Sequence, residues 1–226
     1  MRWFSCPTGN AIRLRKDPVV DQWEKASHPA KILLDAYLDD TEDLLTESRI
    51  VGPWALRLDV GRPAEKALLD KSDLDNYAKP LAARLGNADL VSVWCTKSHN
   101  EASFVRLEAA RAREAPTPDI VIAAPTAGRD RTDHLYHQQV HQAVASMAPL
   151  PPDQAVRLEL AFVVPATWTW WNFWKPTIDG LVHLLGHSGT DKPFDPLDGR
   201  ITELGMHLTS DPAARHVTIG IAASWV

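Results

Sequence analysis

The sequence Asn-Tyr-Ala-Lys-Pro at residues 76–80 is followed 96 residues later by Asn-Phe-Trp-Lys-Pro at residues 172–176. Each copy lies in a segment of helical periodicity that closes at a glycine, Gly86 or Gly186. One strand-like apolar run precedes each copy, and two more follow it. A motif repeated with the same flanking elements indicates an internal duplication, which sets the fold before any local detail is considered.

The duplication predicts two halves of the α+β class, each in the order strand, helix, strand, helix, strand, strand. In the first half we predict these elements at residues 1–5, 29–47, 54–60, 73–86, 90–97 and 103–109. In the second half we predict them at residues 120–124, 133–147, 156–164, 172–186, 201–208 and 216–222. Ala115–Pro118 is typical of a short stiff linker. We therefore expect domains at residues 1–115 and 116–226, packed as an intramolecular pseudo-dimer.

Composition and charge narrow the class of protein. The 226 residues are 45% hydrophobic and 23% charged, as in an ordinary globular domain. No apolar run approaches the roughly 20 residues of a membrane-spanning helix, and none follows the N-terminus, so we expect a cytoplasmic protein without a membrane partner. Two cysteines, Cys6 and Cys95, make neither a disulfide framework nor a zinc pattern. The net charge of −5 disfavours a generally basic nucleic-acid surface but leaves room for a local basic groove.

The start of the helix predicted at residues 73–86 carries two carboxylates, Asp73 and Asp75. At this spacing both can converge on one hard cation, and Mg²⁺ prefers a few carboxylates together with waters and phosphate oxygens. A cation there would activate a water and polarise a phosphodiester, while Lys79, one turn further, would stabilise charge developing on the phosphate. The alternative is that Asp73 caps the helix and Asp75 complements its dipole.

The string Asp-Leu-Asp-Asn-Tyr-Ala-Lys-Pro at residues 73–80 resembles the signature of the RusA-like Holliday junction resolvases, Asp-x-Asp-Asn-Leu-x-Lys-Pro-x-x-Asp-x-Leu. Residues 172–181 fit the C-terminal part of the same pattern. Leu-Asp-Gly-Arg-Ile at residues 197–201 stands where the family has an Asp-Asp-x-Gln-Val or Ile turn. Members of that family are small α+β homodimers that act on four-way DNA junctions with a divalent metal.

This resemblance implies a metal-dependent endonuclease of DNA recombination and repair that acts on branched or distorted DNA with Mg²⁺, or alternatively Mn²⁺. The implied metal ligands are Asp73, Asp75 and Asp198, and Asp73, Asp75 and Lys79 are the implied catalytic residues. From the two copies of the motif we assign Asn76 and Lys175 to DNA contacts. Two copies in one chain resemble the family dimer with its two subunits fused. We therefore expect a monomer acting as a pseudo-dimer, or a homodimer.

Neither half keeps the whole family pattern. The first half has Ala83 at the position where the family pattern has its later helical Asp. Its third acid is missing or displaced to Asp89. In the second half Thr169–Trp171 replaces the Asp-x-Asp pair, so that Asp179 and Asp198 remain. Because a family subunit supplies all of its own acids, three alternatives stay open: a composite site shared by both halves, a degenerate site in the first half, and loss of activity. Asp198 is alternatively a simple turn residue.

Four of the nine tryptophans lie within residues 168–174. Exposed Trp170 and Trp171 would stack on splayed DNA bases, whereas the alternative is that these rings fill the core or the interface between the halves. His134, His137 and His141 share one helical face, which permits a zinc site but more simply makes a partly buried row.

Two further functions stay open beside the endonuclease. A RusA-like protein with incomplete acid sets can serve as a DNA-binding or assembly subunit without nuclease activity. A binding module with no nucleic-acid role is expected if no continuous basic surface joins Lys79, Lys97, Lys175 and Arg200.

Overall fold

A computed structural model describes residues 1–20, 28–48, 50–70, 72–116, 120–125 and 134–226. These residues form a mixed α+β structure of ten strands and five helices. In chain order the elements are β1 (Trp3–Phe4), β2 (Ile12–Arg13), α1 (Pro29–Leu44), β3 (Trp54–Arg62), α2 (Leu74–Leu85), β4 (Leu90–His99), β5 (Phe104–Ala109), β6 (Ala112–Arg113), β7 (Ile120–Ala123), α3 (Leu135–Val144), β8 (Val156–Val164), α4 (Trp174–Asp179), α5 (Val182–Leu185), β9 (Ile201–Ser210) and β10 (Thr218–Trp225). Short 3-10 turns at Trp170–Phe173 and Asp198–Arg200 precede α4 and β9.

Eight strands form one mixed sheet in the order β2-β5-β3-β4-β9-β8-β10-β7. The pairs β3–β4 and β8–β9 are parallel, and the other neighbours are antiparallel, including the central pair β4–β9. Both parallel pairs contain a register irregularity after their first residue, between Trp54 and Ala55 in β3 and between Val156 and Arg157 in β8. The α+β class is therefore confirmed, with one continuous sheet spanning both sequence halves.

The central strands and α2 form because their apolar residues face one another. Along β4, Val93 and Cys95 are fully buried beneath the helices, and α2 buries Leu74, Ala78 and Leu81. Helix α2 contacts both β4 and β9, so its N-terminus lies over the middle of the sheet. Gly86 ends this helix as predicted, its amide donating to Ala82 O at 2.8 Å.

The helix predicted at residues 172–186 is interrupted. Helix α4 ends at Asp179, and α5 begins at Val182. Gly180 lies between them against α3, where a Cβ would stand 2.7 Å from Val140 Cβ. This close approach of α3 accounts for the glycine, whose backbone is still right-handed, and the helical geometry is lost at Leu181, where ψ is 19°.

The opening strand predicted at residues 1–5 is also placed differently. Strand β1 covers only Trp3–Phe4 and pairs with β6 in a separate two-stranded sheet, whereas β2 forms the edge of the large sheet. Helix α3 is shorter than its predicted range of residues 133–147. Residue 133 and linker residues 117 and 118 lie outside the described part of the chain. In the described ranges, no helix combines the length and apolar character needed to cross a membrane.

The centre of the sheet is asymmetric at one pair of residues. Trp94 and Gly205, each the fifth residue of its strand, pair across β4 and β9. The Trp94 ring covers Gly205 so closely that a Cβ there would lie 2.9 Å from the ring carbons. One side chain thus fills the space above both positions.

Candidate metal centre

Asp73 and Asp75 lie at the beginning of α2. Asp73 has the extended backbone of an N-cap residue, yet its side chain makes no capping hydrogen bond to the helix. Its Oδ2 instead accepts a hydrogen bond from Asn76 Nδ2 at 3.1 Å. Asp75, in the first turn, is only 3% exposed. The capping alternative therefore does not account for Asp73, whose side chain caps nothing, whereas Asp75 keeps the first-turn position that complements the helix dipole.

Asp198 reaches the same place from the other half of the sequence. It lies in the 3-10 turn that leads into β9, next to the strand over which α2 packs. One oxygen from each of Asp73, Asp75 and Asp198 lies within 4.8 Å of the other two. Among the described residues this is the only such group of three or more acidic, histidine or cysteine side chains. The three acids that the resemblance implies as ligands thus lie together, with Asp198 coming from a segment distant in sequence from Asp73 and Asp75.

Lys175 is the cation that faces these acids. Its Nζ lies 2.6 Å from Asp198 Oδ2, 3.1 Å from Asp179 Oδ1 and 3.7 Å from Asp73 Oδ2. Its side chain keeps about a third of its surface exposed. We expected Lys175 to contact DNA; it lies instead within the acid cluster, so any phosphate contact would be made at the site itself.

Burial and mutual repulsion change the acidity of the cluster. Burial, together with repulsion from Asp198, raises the pKa of Asp73 to about 8, although Lys175 opposes the change. Burial also raises the pKa of Asp75 to about 6 and that of Asp179 to about 7, again against the effect of Lys175. Burial lowers the pKa of Lys175, but the surrounding carboxylates outweigh it and the net change is upward. Four carboxylates thus surround one lysine, and three of them, Asp73, Asp75 and Asp179, are harder to ionise than a carboxylate in water.

The donor set fits a hard divalent cation. Carboxylate oxygens suit Mg²⁺, Ca²⁺ and Mn²⁺, and two oxygens bound to one such cation at 2.0–2.6 Å lie at most about 5 Å apart. The separation of the three carboxylates is within that limit. A divalent cation would also offset the repulsion between the carboxylates, which adds to the effect of burial on their pKa values. Asp73, Asp75 and Asp198 are thus the residues that would hold it.

Lys97 on β4 joins the two segments that carry the ligands. Its ammonium donates to Ser72 O at 3.0 Å, just before α2, and to Gly199 O, just after Asp198. The side chain is 3% exposed, and burial lowers the pKa of Lys97 to about 8. Sequence reasoning missed this role. The available signal was the position of Lys97 in β4: it lies on the same face of the strand as the inward-facing residues Val93 and Cys95.

The remaining predicted site residues occupy different surroundings. Lys79 is half-buried, and its charge slightly offsets the rise that burial causes in the pKa of Asp75. Trp170 is 3% exposed and packs edge-on against Trp174, with ring centroids 4.8 Å apart. Its ring therefore belongs to the core, the alternative left open for the tryptophans. Trp171 is half-buried, with its ring edge beside Gly86.

The histidine row runs from exposed His134 to buried His137 and half-buried His141, and two of the four cations of the predicted basic surface are buried. His137 stacks on Phe194 at 5.2 Å, and its Nε2 lies 3.9 Å from Asp179 Oδ2. Arg200 is 5% exposed and donates to Gln154 O and Leu185 O at 3.0 and 3.2 Å. Because Arg200 and Lys97 are buried, they do not extend a basic surface from Lys175. In comparisons with known proteins, no family model and no curated protein matches this chain.

Proposed function

We propose that this protein is a metal-dependent endonuclease that resembles the RusA-type resolvases and acts on branched or distorted DNA. The observation that carries the proposal is the convergence of Asp73, Asp75 and Asp198, from segments more than 100 residues apart, beside a partly exposed lysine. These are the acids that the motif resemblance selects. A set of capping and turn residues would have no reason to meet at one point.

The chemistry is hydrolysis of a phosphodiester. A bound divalent cation would supply Lewis-acid polarisation of the phosphate and a water of lowered pKa. The three carboxylates hold and orient that centre, while Lys175, fixed by Asp198 and Asp179, presents donors to a phosphate oxygen as negative charge develops. One P–O bond forms to the water oxygen and another breaks, leaving one phosphomonoester and one hydroxyl end.

We also infer that the chain is an internal duplication that acts as a pseudo-dimer, with halves at residues 1–115 and 116–226. The order of the large sheet supports this, since β5-β3-β4 is matched by β10-β8-β9 with the same strand directions. The irregularities after Trp54 and Val156 are at equivalent positions of equivalent strands. A two-fold axis would then pass between Trp94 and Gly205, and four-way junctions have matching symmetry.

A second candidate is a binding module with no nucleic-acid role. The observation in its favour is that Lys97 and Arg200 are buried, while the chain as a whole carries a net charge of −5. Nucleic-acid affinity depends on phosphate neutralisation by accessible lysine and arginine. In this function Lys175 would serve as the permanent counter-ion of the acids.

The deciding experiment is cleavage of a labelled four-way junction and a matched linear duplex with Mg²⁺, with Mn²⁺ and with chelator. We expect metal-dependent incision of the junction that is lost in Asp75→Asn and in Asp198→Asn. Asp89→Asn is the matched control, because Asp89 is the exposed alternative acid of the first half and lies outside the cluster. Junction binding without incision under any metal would favour a DNA-binding subunit without nuclease activity, and absence of both would refute the DNA functions and favour the binding module.

A further inference from the structure

The proposed duplication assigns each residue of the metal centre a counterpart elsewhere in the chain. Leu90 pairs with Trp54 just before the irregularity in β3, and Ile201 pairs with Val156 just before that in β8, so β4 and β9 start at equivalent residues. Three residues before these starts stand Asn87 and Asp198. Asn87 is therefore the counterpart of the acid that the second half contributes.

The repeated motif supplies the other counterparts. Aligning the two copies places Thr169 opposite Asp73 and Trp171 opposite Asp75. The 3-10 turn at Trp170–Phe173 begins at the position equivalent to the start of α2, which supports the same alignment. Ala83 stands opposite Asp179. Each of the four acids around Lys175 thus has a neutral residue as its counterpart.

The contacts at this second location are those of a packed turn. The ring of Trp171 lies beside Gly86, 3.3 Å from where a Cβ would stand. Asn87 Oδ1 accepts hydrogen bonds from Trp54 Nε1 at 3.0 Å and from the Asp89 amide at 2.9 Å. Its amide oxygen is committed to the turn, and no carboxylate takes the places of Asp73 and Asp75. The second location therefore has neither the charge nor the free oxygen donors that a divalent cation needs.

We infer that the chain carries a single catalytic centre and makes one incision per encounter with DNA, so that its product is a nick rather than a paired cut. This inference rests on the proposed function. The pseudo-two-fold axis relates the DNA strand being cut to a second DNA strand. That second strand meets Trp171 and Asn87 at the positions equivalent to Asp75 and Asp198. One water is consumed and one P–O bond is broken in each event, and the symmetry-related phosphodiester stays intact.

Mn²⁺ titration followed by electron paramagnetic resonance tests the number of centres without relying on activity. We expect one centre per chain, with all tight binding lost in Asp75→Asn. The matched control is Asn87→Asp, which keeps the acceptor for Trp54 and restores one acid at the second location; it should still bind at one centre. Tight Mn²⁺ binding that persists in Asp75→Asn would place a centre elsewhere and overturn the inference.

Incision of a supercoiled plasmid with an extruded cruciform tests the product. We expect nicked circles as the product, because a nick releases the supercoiling that keeps the cruciform extruded and so removes the junction before a second encounter. Linear product formed at once, without a nicked intermediate, would overturn the single incision while leaving the endonuclease in place. If one Mn²⁺ binds but neither product forms with Mg²⁺ or Mn²⁺, the endonuclease itself is refuted and the nick with it.

Discussion

Replacing Asp75 by asparagine should stabilise the protein while removing its cation site. Asp75 is 3% exposed, and burial raises its pKa from 3.8 to about 6 even though Lys175 opposes the change. A carboxylate held in this way is harder to ionise in the folded chain than in the unfolded chain. Asparagine has nearly the same shape and carries no charge, so it removes that cost together with a ligand.

The size and sign of the effect follow from linkage between protonation and folding. A tenfold change in acidity corresponds to 1.36 kcal/mol, so ionised Asp75 costs the folded state up to about 3 kcal/mol. The folded state binds the proton more tightly, so the cost is absent below the unfolded pKa of 3.8, grows between there and about 6, and is complete above it. The Asp75→Asn substitution should therefore stabilise the metal-free protein by about 1–3 kcal/mol at pH 8. A chain of this size gains roughly 2–4 °C in Tm for each kcal/mol.

Thermal unfolding followed by circular dichroism, at several values between pH 4 and pH 8, measures this directly. In chelator the Tm of Asp75→Asn should exceed that of the wild type at pH 8 and approach it at pH 4. Added Mg²⁺ should raise the Tm of the wild type and leave that of the variant nearly unchanged. A variant less stable than the wild type in chelator at pH 8, or one stabilised equally by Mg²⁺, would refute this account of the cluster.

Three other substitutions examine what surrounds the centre. Lys97→Met should weaken Mn²⁺ binding about 10–100-fold in a calorimetric titration, because the segments carrying Asp73 and Asp198 lose their shared anchor; unchanged affinity would show that they are held without it. Trp170→Ala should lower the free energy of unfolding in urea by about 3–5 kcal/mol, as expected of a core ring; a loss of DNA affinity without a loss of stability would contradict that position. Gly205→Ala should cost about 1–3 kcal/mol in the same assay through its clash with the Trp94 ring, and Trp94→Leu in the same chain should relieve the cost; additive effects would exclude the clash.

Much of the fold could be predicted because its signals are local. Apolar alternation located β3, β4, β8 and β9 to within a few residues, and the repeated motif located the start of α2. Local patterns do not report which strands become neighbours, so the pairing of β4 with β9 was not specified by the sequence. That pairing is what brings Asp198 to the helix carrying Asp73 and Asp75. The motif resemblance selected the three acids, whereas their meeting depends on the topology.

The missed features share a dependence on long-range contacts. Residue 180 has no room for a side chain because α3 lies against it, and nothing within residues 172–186 signals that neighbour. Lys97 and Lys175 read as surface cations in the sequence, but each satisfies acceptors that come from distant segments. Trp170 was equally compatible with a core position and with an exposed platform. A tryptophan ring offers a large apolar surface in either case, and the fold decides what that surface packs against.

In the proposed duplication, joining two halves in one chain releases both from a constraint that a homodimer imposes. In a symmetric dimer, the residue at Trp94 would also occupy the position of Gly205. Two tryptophans would not fit there, because even a Cβ at Gly205 lies 2.9 Å from the Trp94 ring, and two glycines would leave the space above the central strands without a side chain. If the chain is a duplication as proposed, the same freedom applies to the metal centre. Asp75 and Trp171 can differ only within a single chain, so one location can keep its acids while the other is given to packing.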